Sequence, residues 1–220
     1  FRQTDSFLLK PEAFRVFGSA YLLPPCGTHI EFEGEKLFEL LLTKEQIGHI
    51  LTVLRKHQIP MVLEGPHYIY VDEKDFVDDP YVIYLRNELG ENLKSITGTA
   101  QYEVNKLSAE LRNADVELVR KELGTEFDMI VHEPDGILEI GQAGHSKASG
   151  IERLCESLGI AKEDTYAFGD SANDVEMLEF VAHGIAMGNG TDVAKNAAEF
   201  ITTDIHKDGI WNGLKHYGLI

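Results

Sequence analysis

Toward the C-terminal end of the chain, Phe168-Gly169-Asp170-Ser171-Ala172-Asn173-Asp174 gathers two carboxylates, an amide and a hydroxyl within five residues. The short apolar run Thr165 to Phe168 reads as a strand, and Val175, Leu178 and Val181 recur at helical spacing. Asp170 therefore stands at a strand tip. Asn173 and Asp174 follow three and four residues later, in the first helical turn and on the same side. Carboxylate and amide oxygens converging there are donors of the kind Mg²⁺ prefers, and the helix N-terminus adds N–H groups that favour an anion. The chemistry implied is that of a metal ion plus a phosphate. The same residues also admit a plainer use, with Asp170 or Ser171 capping the helix and Asn173 and Asp174 lying favourably in its dipole.

Lys147 is the second candidate. It lies in Gly144-His145-Ser146-Lys147-Ala148, where Ser146 can cap a helix running to Leu158 and Gly159 stops it. A cation at a helix N-terminus opposes the dipole, so a Lys there invites a functional reason such as binding a phosphoryl oxygen; otherwise it is a solvated surface Lys. A third feature, Gly184-Ile-Ala-Met187-Gly188-Asn189-Gly190-Thr191, pairs a strand end with a helix that Thr191 would cap. Asn189 there is placed for a ligand contact, although a tight turn also explains the glycines. The nine histidines do not cluster at metal spacing. His145 is near enough to Lys147 to line a site, and the others read as surface or packing residues. Asp72-Glu73-Lys74-Asp75 and Asp78-Asp79 read as a solvated acidic loop.

Elements of two textures must position these residues. From Gly141 onward helix and strand alternate with short Gly-bearing joints: strands at 165–168, 184–187 and 200–202, helices after Ser146, Asp170 and Thr191, and a last helix over 210–216. That alternation predicts a parallel sheet covered on both faces, and ligands of such sheets bind at the C-terminal ends of the strands. The middle is α+β. Thr43-Lys44-Glu45-Gln46 is a capping box ahead of a helix to His57. Strands are expected at 61–63 and 68–71, a polar-faced helix over 106–123, and a hairpin of 128–132 with 136–140 around Glu133-Pro134-Asp135-Gly136. Before it, strands at 17–23, 29–32 and 36–42 are expected, with a turn at Glu33-Gly34-Glu35-Lys36. The predicted organisation is a core from residues 1–42 and 144–220, with an α+β module, 43–143, inserted between them.

Composition narrows the classes. Of the 220 residues, 43% are hydrophobic and 26% charged, ordinary for a globular chain. The net charge of −17 argues against binding nucleic acid or an anionic membrane through a basic face. It leaves room for an anionic small substrate, where a divalent cation or a well-placed Lys handles the charge. No apolar window is long enough for a membrane-spanning helix, and the first residues do not read as a signal peptide. Cys26 and Cys155 form no metal or redox pattern and read as buried thiols in a reducing compartment. A cytoplasmic protein is the expectation.

Gly169-Asp-Ser-Ala-Asn-Asp174 with Ser146-Lys147 upstream, then Gly184-Ile-Ala-Met-Gly-Asn189, Ala197-Ala198 and Lys207-Asp208-Gly209, resembles the haloacid dehalogenase superfamily. More closely it is similar to the Cof-type phosphatases, which insert a large α+β cap in a Rossmann-like core. The likeness is dense from about Gly136 to the C-terminus, looser over Cys26 to Gln46 and weak in the middle. It implies an α/β fold and Mg²⁺-dependent hydrolysis of small phosphorylated metabolites, sugar phosphates above all, through an aspartyl-phosphate. Lys147 would bind the phosphoryl group and steady the nucleophile. Asp170 would be a metal ligand, and Asp174 a further ligand or a partner behind the first. Asn173 and Asn189 would contact the substrate side. The family nucleophile lies in an Asp-x-Asp motif after an N-terminal strand, and no Asp-x-Asp occurs in these residues. Its segment is therefore expected outside them, because without that central strand Thr165 to Phe168 would present an unpaired apolar edge. The alternatives are a non-catalytic homologue that binds a phosphate ligand, or a phosphotransferase. Cys26 stands where the family usually has Asn, and Ala148 where it often has Gly.

Overall fold

In the computed structural model, residues 7–9, 20–22, 27–32, 35–72, 76, 78–96, 102–132 and 136–220 are described. Part of the expected strand over 17–23, Cys26, and parts of three turns (33–34, 73–75, 133–135) lie outside them. The chain divides into two units: Phe1–Glu39 with His145–Ile220, and Leu40–Gly144.

The second unit is built on a six-stranded sheet of β5 (Met61–Glu64), β6 (Ile69–Val71), β7 (Leu93–Ser95), β8 (Lys106–Glu110), β9 (Phe127–His132) and β10 (Ile137–Gln142), in the order β7-β6-β5-β8-β10-β9. The described helices of this unit include α1 (Lys44–Lys56), α2 (Pro80–Leu89) and α3 (Val116–Leu123). The capping box at Thr43 forms as the sequence predicts, with Thr43 and Gln46 exchanging side-chain and backbone bonds. Ile47, Ile50, Leu51 and Leu54 of α1 and Val119 and Leu123 of α3 pack on Leu63, Leu107, Leu138 and Ile140. On the opposite sheet face Val62 and Val71 pack against Val82 of α2.

The helix expected over 106–123 is a correction. Lys106 to Leu111 alternates, with Leu107, Ala109 and Leu111 in the core and Ser108 and Lys106 on the other face. That is the period of a strand, and β8 lies in the sheet's middle, paired with both β5 and β10. The helix starts only at Val116, where Asp115 accepts from the Leu118 N–H. The acidic run is likewise not all solvated. Asp72 is 1% exposed and bonded to the Arg55 guanidinium at 2.6 Å. Asp79 caps α2 and pairs with Arg112.

The first unit holds a sheet of order β1-β11-β12-β13, from Phe7–Leu9, Thr165–Gly169, His183–Ala186 and Phe200–Ile201. β11, β12 and β13 run parallel with short joints, as the alternation requires. The edge of β11, expected to need a strand from outside these residues, is paired within them: β1 lies antiparallel along it, Leu8 opposite Tyr166. A separate antiparallel sheet joins β2 (Ala20–Leu22), β3 (His29–Phe32) and β4 (Glu35–Glu39). β4 ends at Glu39, short of the expected Leu42. Among the described residues its α-helices are α4 (Lys147–Leu158), α5 (Val175–Phe180), α6 (Asp192–Ala197) and α7 (Gly209–His216). Ile30, Ile151, Leu154, Ala167, Met177 and Val181 form this unit's core, which welds β3, α4, β11 and α5 together. Among the described residues no helix is long and apolar enough to cross a membrane.

Candidate phosphoryl site

Four segments of the first unit converge at the C-terminal tip of β11. Ser146 caps α4 through a reciprocal pair with Ser149, and Gly159 closes the helix in a left-handed conformation. Lys147, at the first helical position, is not a solvated surface lysine: it is 3% exposed and donates to Asp174 Oδ1 at 2.6 Å. Asp174 is 2% exposed. Its other oxygen accepts the N–H groups of Asp170 at 2.7 Å and Ser171 at 3.0 Å. Both oxygens are therefore engaged, one by the ammonium and one by the strand-to-helix turn. Of the two roles expected for Asp174, a further metal ligand or a partner behind the first, these bonds suit the partner, which aims Lys147.

The turn after β11 is a 3₁₀ turn, Ala172–Asp174, which leads into α5. Gly169 is required in it by close approach, because a Cβ there would lie 2.6 Å from the Asp174 Cβ. Asn173 Oδ1 accepts from the Ser171 hydroxyl at 2.6 Å, which fixes the amide beside Asp170. Asp170 is half-buried. Its pKa is raised, first by burial and then by the charge of Asp174, with Lys147 offsetting part of this. Repulsion between neighbouring carboxylates is what a bound cation relieves.

The loop after β12 closes one side. Gly190 abuts Asp170, and Thr191 holds the Asp170 carbonyl through its N–H at 2.8 Å and its hydroxyl at 3.2 Å. Thr191 precedes α6 as expected, but its side chain serves Asp170 rather than capping the helix. Asn189 is exposed, and its Oδ1 accepts the Ile205 N–H at 2.9 Å. It stitches this loop to the 3₁₀ turn Ile205–Lys207, leaving the amide nitrogen as the part that can reach a ligand.

On the opposite flank Gly27 adopts φ +62°. A side chain there would collide with the Ser146 carbonyl and approach Gly150 Cα to 2.9 Å, so only Gly lets this turn rest on the start of α4. Lys147, Asp170, Asn173 and Asp174 are thus brought into one cluster, and Asn189 stands in the adjoining loop. The histidines are not merely scattered. His145 stacks on Phe38, and Arg153 donates to its Nδ1. His29, His57, His132 and His183 each face a carboxylate. No spacing signal could have announced these pairs, which depend on sheet register and folding.

The donor set fits part of a Mg²⁺ shell. Among the described residues no group of three or more His, Cys, Asp or Glu could hold a metal ion alone. Mg²⁺, however, is commonly bound by one or two carboxylates plus waters and a substrate phosphate, and Asp170 offers one such carboxylate beside a lysine suited to the phosphate.

Comparison with known proteins identifies the family. The family model of haloacid dehalogenase-like hydrolases matches residues 15–214. The chain is 36% identical over 138 residues to the 5-amino-6-(5-phospho-D-ribitylamino)uracil phosphatase YitU of Bacillus subtilis, a match over 60% of this chain and 47% of that one. The chain spans about half the length of that curated relative. A hypothetical protein of Geobacillus kaustophilus superposes with a TM-score of 0.72 at 31% identity, over 89% of this chain and 75% of the other. The subclass IIB sugar phosphatase BT4131 shares the fold, with a TM-score of 0.76 at 22% identity over 91% and 76% of the two chains. With its strand-tip acidic cluster and buried helix-start lysine, the chain belongs to the haloacid dehalogenase-like hydrolases and is Cof-type in fold.

Proposed function

We propose that the full-length protein is a Mg²⁺-dependent phosphatase of small phosphorylated metabolites, with sugar phosphates as the substrate class. The observation that carries the reading is the buried Lys147–Asp174 pair beside Asp170 at the tip of β11. A lysine ammonium withdrawn from water, its direction set by a carboxylate that is itself fixed by two backbone N–H groups, is preorganised to meet a second anion at the strand tip. The names of relatives such as the phosphatase YitU support the class of reaction, not the substrate.

In this reading Lys147 binds a phosphoryl oxygen and holds it still while charge shifts onto it. Asp174 is a positioning residue that keeps Lys147 charged and aimed. Asp170 would hold the Mg²⁺, which when bound neutralises charge shared by carboxylate and phosphate. Asn173 orients the substrate side, and Asn189 offers its amide nitrogen from the neighbouring loop. The phosphoryl group would pass to an aspartate in an Asp-x-Asp segment, which has no counterpart in these residues. We assign residues 43–143 the role of a cap that selects the substrate.

The test is phosphate release from a panel of sugar phosphates by the full-length protein with Mg²⁺. Asp170→Asn should cut turnover at least about a hundredfold, equivalent to the several kcal/mol that metal charge stabilisation supplies. Turnover unchanged in that variant contradicts the metal assignment. Phosphate binding without any turnover in the parent protein favours the binding homologue, and transfer to an added alcohol the phosphotransferase.

A further inference from the structure

The turn that carries Lys147 is braced by a residue that takes no part in the chemistry above. Arg153 lies six residues further along α4. Its guanidinium donates to the Ser149 carbonyl oxygen at 3.3 Å, to the Ser149 hydroxyl at 3.1 Å, and to His145 Nδ1 at 3.3 Å. One planar group therefore ties together the residues two before and two after Lys147. The guanidinium is seated 4.6 Å over the Phe38 ring, and His145 stacks on the same ring with centroids 6.4 Å apart.

Phe38 and His145 are not arbitrary anchors. Phe38 is the penultimate residue of the first segment of this unit, which ends at Glu39, and His145 opens the second segment. Glu39 is itself fixed by His29 at 3.1 Å and Lys36 at 2.5 Å. The platform under Arg153 is thus built from the two places where the chain leaves this unit and returns to it.

A lysine side chain is a flexible stem of about four carbons, so where its ammonium points depends on its root as well as on its partner. Asp174 fixes the head of Lys147. The root is fixed by the backbone of residues 145–149, where the Ser146–Ser149 capping pair and the Arg153 fork act together. Only a guanidinium supplies several donors in one rigid plane that also stacks on an aromatic ring.

We propose that Arg153, seated on Phe38, is a positioning residue for Lys147 and acts through the backbone of residues 145–149. This rests on reading Lys147 as the phosphoryl-binding lysine. Arg153 touches no reacting atom, so its loss lowers affinity for the phosphoryl group by letting Lys147 drift.

The experiment is calorimetric titration of inorganic phosphate into the full-length protein with Mg²⁺, for the parent, Arg153→Lys, Phe38→Leu, Lys147→Ala and the Arg153→Lys/Lys147→Ala double variant. Lys147→Ala should weaken binding at least about tenfold. Arg153→Lys should weaken it about fivefold alone and add nothing once Lys147 is gone, the mark of two residues acting through one contact. A merely structural role for Arg153 would weaken binding by the same factor in both backgrounds, and that result overturns the proposal, as does parental affinity in Arg153→Lys. If Lys147→Ala binds phosphate as well as the parent, the underlying reading of Lys147 fails instead. Should Arg153→Lys fold poorly, Phe38→Leu carries the same cycle, with the same expected loss of effect in the Lys147→Ala background.

Discussion

Replacing Asp174 by Asn tests how the site is held together. Lys147 and Asp174 are each 3% exposed in their side chains and 2.6 Å apart. Removing the charge of one partner leaves an ammonium in the interior without its carboxylate, which costs about 3–5 kcal/mol in buried pairs. The geometry places Asp174→Asn well inside that range. The amide oxygen must still accept the N–H groups of Asp170 and Ser171, which turns the amide N–H₂ toward the Lys147 ammonium, donor against donor. A loss of about 4 kcal/mol is a large share of the 5–15 kcal/mol that typically holds a domain folded. In the Lys147→Met/Asp174→Asn double variant no charge is buried and the oxygen keeps its two backbone donors. That variant should recover at least about 2 kcal/mol relative to Asp174→Asn. Urea unfolding followed by amide hydrogen exchange at β11 and α4 reads the first unit separately from the second. A loss below about 1 kcal/mol for Asp174→Asn, or no recovery in the double variant, refutes the reasoning.

Gly169→Ala should push the Asp174 side chain from its seat, since the new Cβ would start 2.6 Å from the Asp174 Cβ. The expected cost is about 1–3 kcal/mol, with weakened phosphate binding, and unchanged affinity would show that Asp174 does not govern Lys147. Gly27→Ala should destabilise the first unit by about 1–2 kcal/mol from backbone strain alone, because φ is +62° there, before any collision with Ser146; a smaller change in thermal unfolding counts against that turn. In the second unit, burial opposes the charge of Glu139, but His132 and Lys106 outweigh it and hold its pKa at about 2, against 4.5 unperturbed. The folded-state value is the lower one, so its contribution, about 3 kcal/mol, is fully present above the unfolded value and fades as pH falls from about 4.5 to about 2. Glu139→Gln should flatten the acid dependence of that unit's unfolding over this window, and an unaltered slope contradicts the assignment.

The strand-tip cluster was legible in the sequence because its signals are local. A short apolar strand, a polar turn and a helix start fix Asp170, Asn173 and Asp174 within five residues. The caps at Thr43 and Ser146 and the stop at Gly159 were readable for the same reason. What escaped was whatever depends on pairing at a distance. Lys106 to Glu110 looked helical beside the true helix that begins at Val116, and only its place between β5 and β10 makes it a strand. Asp72 looked solvated because Arg55, which buries its charge, lies seventeen residues away on α1. For Asp174 the sequence leaves open a further ligand or a partner behind the first, because it cannot show that the oxygens are engaged by Lys147 and two backbone N–H groups. The antiparallel pairing of Phe7–Leu9 with β11 carried no signal that residue types alone supply.

The central claim, that the tip of β11 receives a phosphoryl group through Lys147 with a cation on Asp170, is tested most directly by a crystal structure of the full-length protein grown with Mg²⁺ and tungstate, an electron-dense mimic of phosphate. The account predicts the anion within hydrogen-bonding distance of Lys147 Nζ, the metal on the Asp170 carboxylate, and Asp174 bound to Lys147 rather than to the metal. An anion bound away from Lys147, or a metal coordinated without Asp170, would contradict it.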